Sequence, residues 1–596
     1  MNETGCLENY TGPLLLGKIH SSNLLLLNVF YHRPVKEYQY KDYASILVKD
    51  VGTGEKKIIT IEDPMMLMYI VKPEYRNYNY VPAYRPLSMC DVRKVKYKNI
   101  VKEIVKEGGE ELKNYYDELI VSGFGARRNI HKYPYVLGTD YDYPSYFRCE
   151  WALHYHNQDI RKDVTKSYLD IEVDSIDIEG FPRPGSCPIN AVTYVDGENK
   201  VSYTFLLRNI ENPLIDDFER NMSSFLERCH QSFDESYPGF EYRILMYDDE
   251  LDLIQGLFDT INNLKLDFAM YWSSFDIEFI IARLKRLGKN PSDVMCNHDF
   301  VRDELSFKKD TMHYEFKRKN DVFICTSYTV FIDQMTQYIK IRKQQKELKS
   351  IKLNMIAMKE LQDSKLDYSD IANIKTLPYE DYELFVLYNI KDVLLLYGIE
   401  NKTHDIDNIL DRALTNGTNY SSLFSQTIML KNRAYISYFK QGYIIGNNRN
   451  IDYSVDREEQ DEDDDDKKDK FTGALVADPD LNDYIGTKIF GKPSKWVFRN
   501  VVDFDMNSMY PFITCAHNIG HETMIGKIIL NGFEHLDIDP TERLYDGGKM
   551  FIEALLSKDY NYIGSIYFNL PKAEDIIGDL ERIKTDGKDS IFKKAV

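Results

Sequence analysis

Positive charge is what this sequence is short of. Its 596 residues carry 95 Asp and Glu against 75 Lys and Arg, a formal net charge of −20. Gripping phosphate over a broad surface needs the opposite balance, so the bulk charge counts against that mode of binding. It does not exclude local binding, because much of the acid is concentrated in EEQDEDDDDKKD (residues 458–469), which reads as a solvated charge run. Basic clusters stand elsewhere, KKDTMHYEFKRK (308–319) and KIRKQQKELKSIK (340–352), either solvated faces or local phosphate contacts. CxxC pairs are also lacking. The eight cysteines, at 6, 90, 149, 187, 229, 296, 325 and 515, are scattered, which argues against a zinc ribbon and a disulfide framework. A reducing, cytoplasmic location is the expectation. No run of about 18 apolar residues occurs, so no membrane span is expected. The N-terminus, MNETGCLENY, lacks a basic stretch followed by an apolar one, so no secretory signal is expected. No internal repeat is seen.

What is present reads as three or more domains, at about 100–200 residues each. Residues 1–162 mix apolar strands such as NLLLLNVFY with turn-rich stretches such as PEYRNYNYVPAYRP, an α+β pattern. From about 165 come strand patterns, SYLDIEV, INAVTYV and VSYTFLL, then FAMYW. The helical pattern IEFIIARLKRLG follows, then a hairpin pattern over 308–327 and a strong helix over 378–400. Strands followed by helices at this rhythm predict an α/β layer. The acidic loop, about 456–470, interrupts the chain, and RNVVDFDMNSMYPFI then reads as a strand that breaks at Pro511.

Carboxylates inside apolar patterns are the chemical signal. In SYLDIEV, alternation puts Asp170 and Glu172 on one face and Leu169, Ile171 and Val173 on the other. Two buried carboxylates on one face repel and are costly to desolvate. A hard cation such as Mg²⁺ between them resolves both problems; the alternative is a solvated strand face. The neighbouring pair Asp177 and Glu179 precedes Gly180-Phe181-Pro182 and reads as loop surface. Asp276, in YWSSFDIEF, falls at a strand-to-helix junction, where acids also serve simply as caps. Tyr388 and Asp392, in LYNIKDVLLL, are four apart and share a helix face. A buried Asp there needs a cation, either a metal ion or a nearby lysine such as Lys391.

The ordered set, a DxE strand, FD opening a helix, then YxxxD on a helix, resembles the DEDDy-type 3′→5′ proofreading exonuclease, a ribonuclease-H-like domain. The resemblance implies that Asp170, Glu172 and Asp392 hold two Mg²⁺ ions, with Mn²⁺ able to substitute. It gives Asp276 a supporting role for the second ion through water, and has Tyr388 orient the attacking water in two-metal hydrolysis. One departure is visible: the family usually places Asn five residues before the second-motif Asp, and Tyr271 stands there.

A second motif, DxxSxYP at Asp505, Ser508, Tyr510 and Pro511, with Met509 between, resembles motif A of family B DNA polymerases of the T-even bacteriophage type. That likeness implies a palm carboxylate, Asp505, for the catalytic metals. It implies triphosphate contacts along Ser508, Met509 and Tyr510, with Tyr510 as steric gate. Phe471-Thr472-Gly473-Ala474 is a short likeness to a template-contacting segment. The domains then read as 1–162 N-terminal, 163–402 exonuclease, and 403–596 connecting helices with a partial palm. No KxxxNSxYG or DTDS pattern occurs in the sequence, and one carboxylate does not hold two ions against a triphosphate. The expectation is therefore an amino-terminal subunit of a split replicative polymerase, located in the (host) cytoplasm. Its expected partners are primer–template DNA, single-stranded 3′ ends, dNTP once complete, a second polypeptide with fingers, remaining palm and thumb, and a sliding clamp. A freestanding DEDDy exonuclease with a vestigial palm is the alternative. A non-catalytic scaffold is the third reading, disfavoured because the four acids and the tyrosine are all present.

Overall fold

The structure, a computed structural model, describes residues 24–35, 40–76, 84–121, 130–154, 164–209, 212–311, 320–342, 350–367, 371 and 373–445, with short strand segments and isolated positions beyond 445. The chain divides into two compact units. One draws on Met1–Tyr69, Val92–Glu103 and Gly138–Ile445; the other on Ile70–Asp91, Ile104–Leu137 and Gly446–Val596. In the second unit, strands Gly526–Leu530 and Ile563–Phe568 pair antiparallel. The rest of the fold description concerns the first.

Its N-terminal part is an antiparallel sheet of β1 (Leu24–His32), β2 (Tyr43–Asp50) and β3 (Lys56–Glu62). NLLLLNVFY is thus the strand its apolar run predicts. The centre is a mixed six-stranded sheet built from β4 (Lys166–Val173), β5 (Ile189–Asp196), β6 (Val201–Leu207), β7 (Glu241–Tyr247), β8 (Phe268–Tyr271) and β11 (Val330–Asp333). Its order is β7-β6-β5-β4-β8-β11. β5 runs antiparallel to both β4 and β6, whereas β6 is parallel to β7 and β8 is parallel to both β4 and β11. This is the α/β layer expected from the rhythm of the sequence.

Both faces of the sheet are covered, and the two sets of inward residues alternate as a pleat requires. Tyr168, Ala191, Val195, Leu206 and Met270 share a core with helix α6 (Tyr382–Thr403). Leu169, Ile171, Val192, Phe205 and Ala269 share another with α2 (Glu250–Leu264) and α3 (Ser274–Arg286). Leu25, Leu27 and Leu47 of the N-terminal sheet join the first core. A polar pin reinforces that junction. Lys49 Nζ and Lys56 Nζ lie 2.7 and 2.8 Å from the two oxygens of buried Asp267, just before β8. The Thr165 amide, at the approach to β4, also donates to that carboxylate, at 2.7 Å.

Two boundaries differ from the sequence pattern. The helix expected over 378–400 is two helices, Leu377–Glu380 and α6, split at Asp381. Asp381 adopts an extended conformation and its side chain accepts from Leu384 N at 2.9 Å, so it ends one helix and caps the next. The hairpin is formed by β9 (Leu305–Lys308) and β10 (Val322–Cys325), and starts three residues earlier than its alternation suggests. Residues 312–319 and 343–349, within the two basic clusters, lie outside the described residues, as do the acidic loop, Phe471–Ala474, and Asp505, Ser508, Met509 and Tyr510.

Candidate active site

Three elements converge beside the end of β4. β4 carries Asp170 and Glu172 on the face covered by α6. β8 pairs with β4 so that Tyr271 lies opposite Leu169, and the chain then turns into α3. Ser273 caps α3 by accepting from Phe275 N at 3.3 Å, which leaves Asp276, in the first turn, free of that duty. α6 is apolar all round, with every residue from Phe385 to Leu396 buried, as a helix sandwiched by protein must be. The polar side chains within that stretch, Tyr388, Asn389, Lys391 and Asp392, are therefore held where packing puts them.

Ligand oxygens of Asp170, Glu172 and Asp392 all lie within 4.8 Å of one another. Asp170 and Glu172 keep a window to solvent, while Asp392 is 2 % exposed and Asp276 is 5 % exposed. Asp276 stands outside that group of three but within its field. Burial, then the charges of Asp170 and Glu172, hold its carboxyl well above the ordinary range. Burial and the Asp392 charge push Asp170 up to about 7. Glu172 is raised by burial and then by Asp170 and Asp392. Burial raises all four carboxyls, Asp392 included, and in Asp170, Glu172 and Asp276 a neighbouring acid raises them further; unlike a solvated strand face, such a cluster lacks positive charge.

Some of that charge is supplied by Lys365. Its ammonium donates to Asp392 Oδ2 and, at 3.0 Å, to the Tyr388 hydroxyl. Burial disfavours the ammonium, but Asp392, Tyr388 and Asp170 outweigh burial and raise its pKa. Asp392 does pair with a lysine, but Lys391 is not that lysine: Lys391 Nζ lies 2.6 Å from Asp363. The other oxygen of Asp392, Oδ1, is buried with no hydrogen-bond donor among the described residues. An orphaned carboxylate oxygen beside two further carboxylates is a donor set suited to a hard divalent cation. The residues therefore fit Mg²⁺.

The loop after β4 shapes the approach. Asp177 and Glu179 are exposed, as their turn context predicts. Lys375 donates to the carbonyls of Ile178 and Gly180, and Tyr379 OH donates to Asp174 at 2.5 Å. Phe181, held by this loop, is 78 % exposed yet packs on Phe275, with ring centroids 5.2 Å apart. Lys365 and Phe181 are site residues that sequence reasoning missed. Phe181 had a signal, a bulky apolar residue in a Gly-Phe-Pro turn; Lys365, in a polar stretch 27 residues before Asp392, had none.

Residues 145–356 match the family described as DNA polymerase family B, exonuclease domain. The match includes Asp170, Glu172 and Asp276 and stops before Tyr388 and Asp392. The chain is 24% identical over 392 residues to a DNA-directed DNA polymerase of Escherichia phage RB69, covering 64% of this chain and 38% of that protein. It is 24% identical over 374 residues to the DNA polymerase delta catalytic subunit of Plasmodium falciparum (isolate K1 / Thailand), covering 60% of this chain and 28% of the relative. The chain thus spans well under half the length of these relatives. Among the described residues, no helix is long and apolar enough to cross a membrane.

Proposed function

We propose that the six-stranded sheet and α6 form the centre of a 3′→5′ exonuclease that hydrolyses the terminal phosphodiester of single-stranded DNA. The observation that carries this reading is the meeting of Asp170, Glu172 and Asp392, from a strand and a helix, within 4.8 Å. Asp170, Glu172 and Asp392 would hold the Mg²⁺ ions, with Asp276 in support through water. Bound there, Mg²⁺ acidifies water and offsets the charge on the phosphate and the leaving 3′ oxygen.

The protein's own groups do the rest. Lys365 donates both to the Tyr388 oxygen and to Asp392, which holds the phenol beside that carboxylate, where it would orient the attacking water. Burial and Asp392 raise the Tyr388 pKa, which keeps the phenol a neutral donor. Phe181 offers an exposed ring, backed by Phe275, on which a base of the strand stacks.

The test is digestion of a 5′-labelled single-stranded oligonucleotide in Mg²⁺. Stepwise shortening from the 3′ end is expected. Asp170→Ala with Glu172→Ala should reduce it by about a thousandfold or more. Undiminished digestion by that double variant sinks the reading.

A second reading adds DNA synthesis, supported by the DxxSxYP motif at Asp505 with Ser508, Met509 and Tyr510. In this reading a second polypeptide supplies the fingers motif and the second palm carboxylate. Primer extension on mixing the two chains supports it; extension that never appears refutes it.

A further inference from the structure

We propose that Asn389 is a positioning residue for Asp170, acting through a hydrogen-bond relay that includes Thr193 and Thr204. This rests on the ion-binding exonuclease reading and deepens it. Asn389 lies on α6, one residue after Tyr388, and is fully buried, as are Thr193 and Thr204. Thr193 on β5 stands directly opposite Asp170 on β4, and Thr204 on β6 stands opposite Thr193. The three form a row across the sheet on the face that α6 covers.

The contacts run in one direction. Asn389 Nδ2 donates to Asp170 Oδ2 at 3.2 Å, and Thr193 Oγ1 donates to Asn389 Oδ1 at 2.6 Å. Thr193 Oγ1 and Thr204 Oγ1 are 3.1 Å apart. Proton counting fixes the sense of the chain. A carboxylate that binds a cation only accepts, so the amide nitrogen must face Asp170. The amide oxygen then faces Thr193, which must donate. The single Thr193 proton is thereby used, so Thr204 must donate to Thr193. The relay reads Thr204 to Thr193 to Asn389 to Asp170, with every donor pointing towards the carboxylate.

Two consequences follow. Asp170 Oδ2 accepts from Asn389, which fixes the orientation in which the carboxylate would meet a cation. Asn389 also ties α6, which carries Tyr388 and Asp392, to β4, which carries Asp170 and Glu172. Neither threonine touches the site, yet removing a Thr193 proton would release the amide to rotate and leave buried polar atoms unpaired.

The experiment measures Mn²⁺ binding to the full chain by electron paramagnetic resonance of the free ion, with thermal unfolding alongside. Asn389→Leu and Thr193→Val should each weaken Mn²⁺ binding by about tenfold or more. Thr193→Ser keeps the hydroxyl and should bind close to the parent. If Asn389→Leu does not fold, the Val and Ser variants at 193 decide. Asp170→Ala with Glu172→Ala is the control. If the control abolishes binding while Asn389→Leu and Thr193→Val bind like the parent, the relay falls and the site stands. Equal loss in Thr193→Ser and Thr193→Val also overturns the relay, because the hydroxyl is then not what matters. If the control too binds like the parent, relay and site fall together.

Discussion

Asp392 shows how the candidate site is poised. One oxygen is on Lys365 and the other has no donor among the described residues. Replacing Lys365 with Met would leave the acids with less compensation. The expected result is weaker Mg²⁺-dependent digestion and a lower Tm in the ion-free protein, with Mg²⁺ recovering more Tm in the variant than in the parent. Calorimetric melts with and without the ion read this; equal Tm values in all four samples would contradict it. Asp170 gives a pH dependence of definite sign. Its carboxyl is held up to about 7, against about 3.9 for an ordinary Asp. In the ion-free protein its contribution to stability is full below about pH 4 and is lost as pH rises through about 7. Ion binding needs the ionised form, so apparent Mg²⁺ affinity should climb with pH and level off above about 7. Isothermal titrations at about pH 5.5 and about pH 8 test it; equal affinities would mean that Asp170 takes no part. At this scale the sequence carried the acids, because carboxylates in apolar strand and helix patterns are conspicuous. It did not carry Lys365, since nothing local marks a lysine that packing later brings to Asp392.

Among elements, α6 matters most, because Tyr388 and Asp392 ride on it while its remaining surface fills the core. Leu394→Ala should cost about 2–5 kcal/mol in urea unfolding. Because the cavity lies under the same helix, kcat should fall further than the lost folded fraction explains. A kcat that simply tracks the folded fraction would show that α6 holds its side chains independently of its packing. Four of the six sheet strands, β4, β5, β6 and β8, were legible as strand patterns and α3 from the apolar spacing of IEFIIARL, whereas β7 and β11 were not read. The break at Asp381 was not, because Pro378 and the apolar run continue one pattern across it. The extended backbone of Asp381 and its side-chain bond to Leu384 N show the cap.

Across the whole first unit, the contact that joins distant parts is Asp267 with Lys49 and Lys56. Lys49 and Asp267 are 218 residues apart in the chain. Asp267→Ala would take the carboxylate from two buried ammonium groups and should cost about 3–5 kcal/mol, read by denaturant unfolding. A loss below about 1 kcal/mol, the range of exposed pairs, would show that the cluster is solvated in solution. No pattern in the sequence announces this contact, since both lysines sit in a strand context that reads as an ordinary polar edge.

The candidate ligands also impose an order of events. Asp170 leaves the ribosome 222 residues ahead of Asp392 (392 − 170 = 222), and the oxygens of these two acids meet only after α6 has docked on the sheet. A nascent chain that has emerged as far as β11 already displays the sheet but lacks the last acid. The proposed nuclease chemistry would thereby be withheld from a copy made only as far as β11, and acquiring a tightly held metal would signal that the helix has closed over the strands.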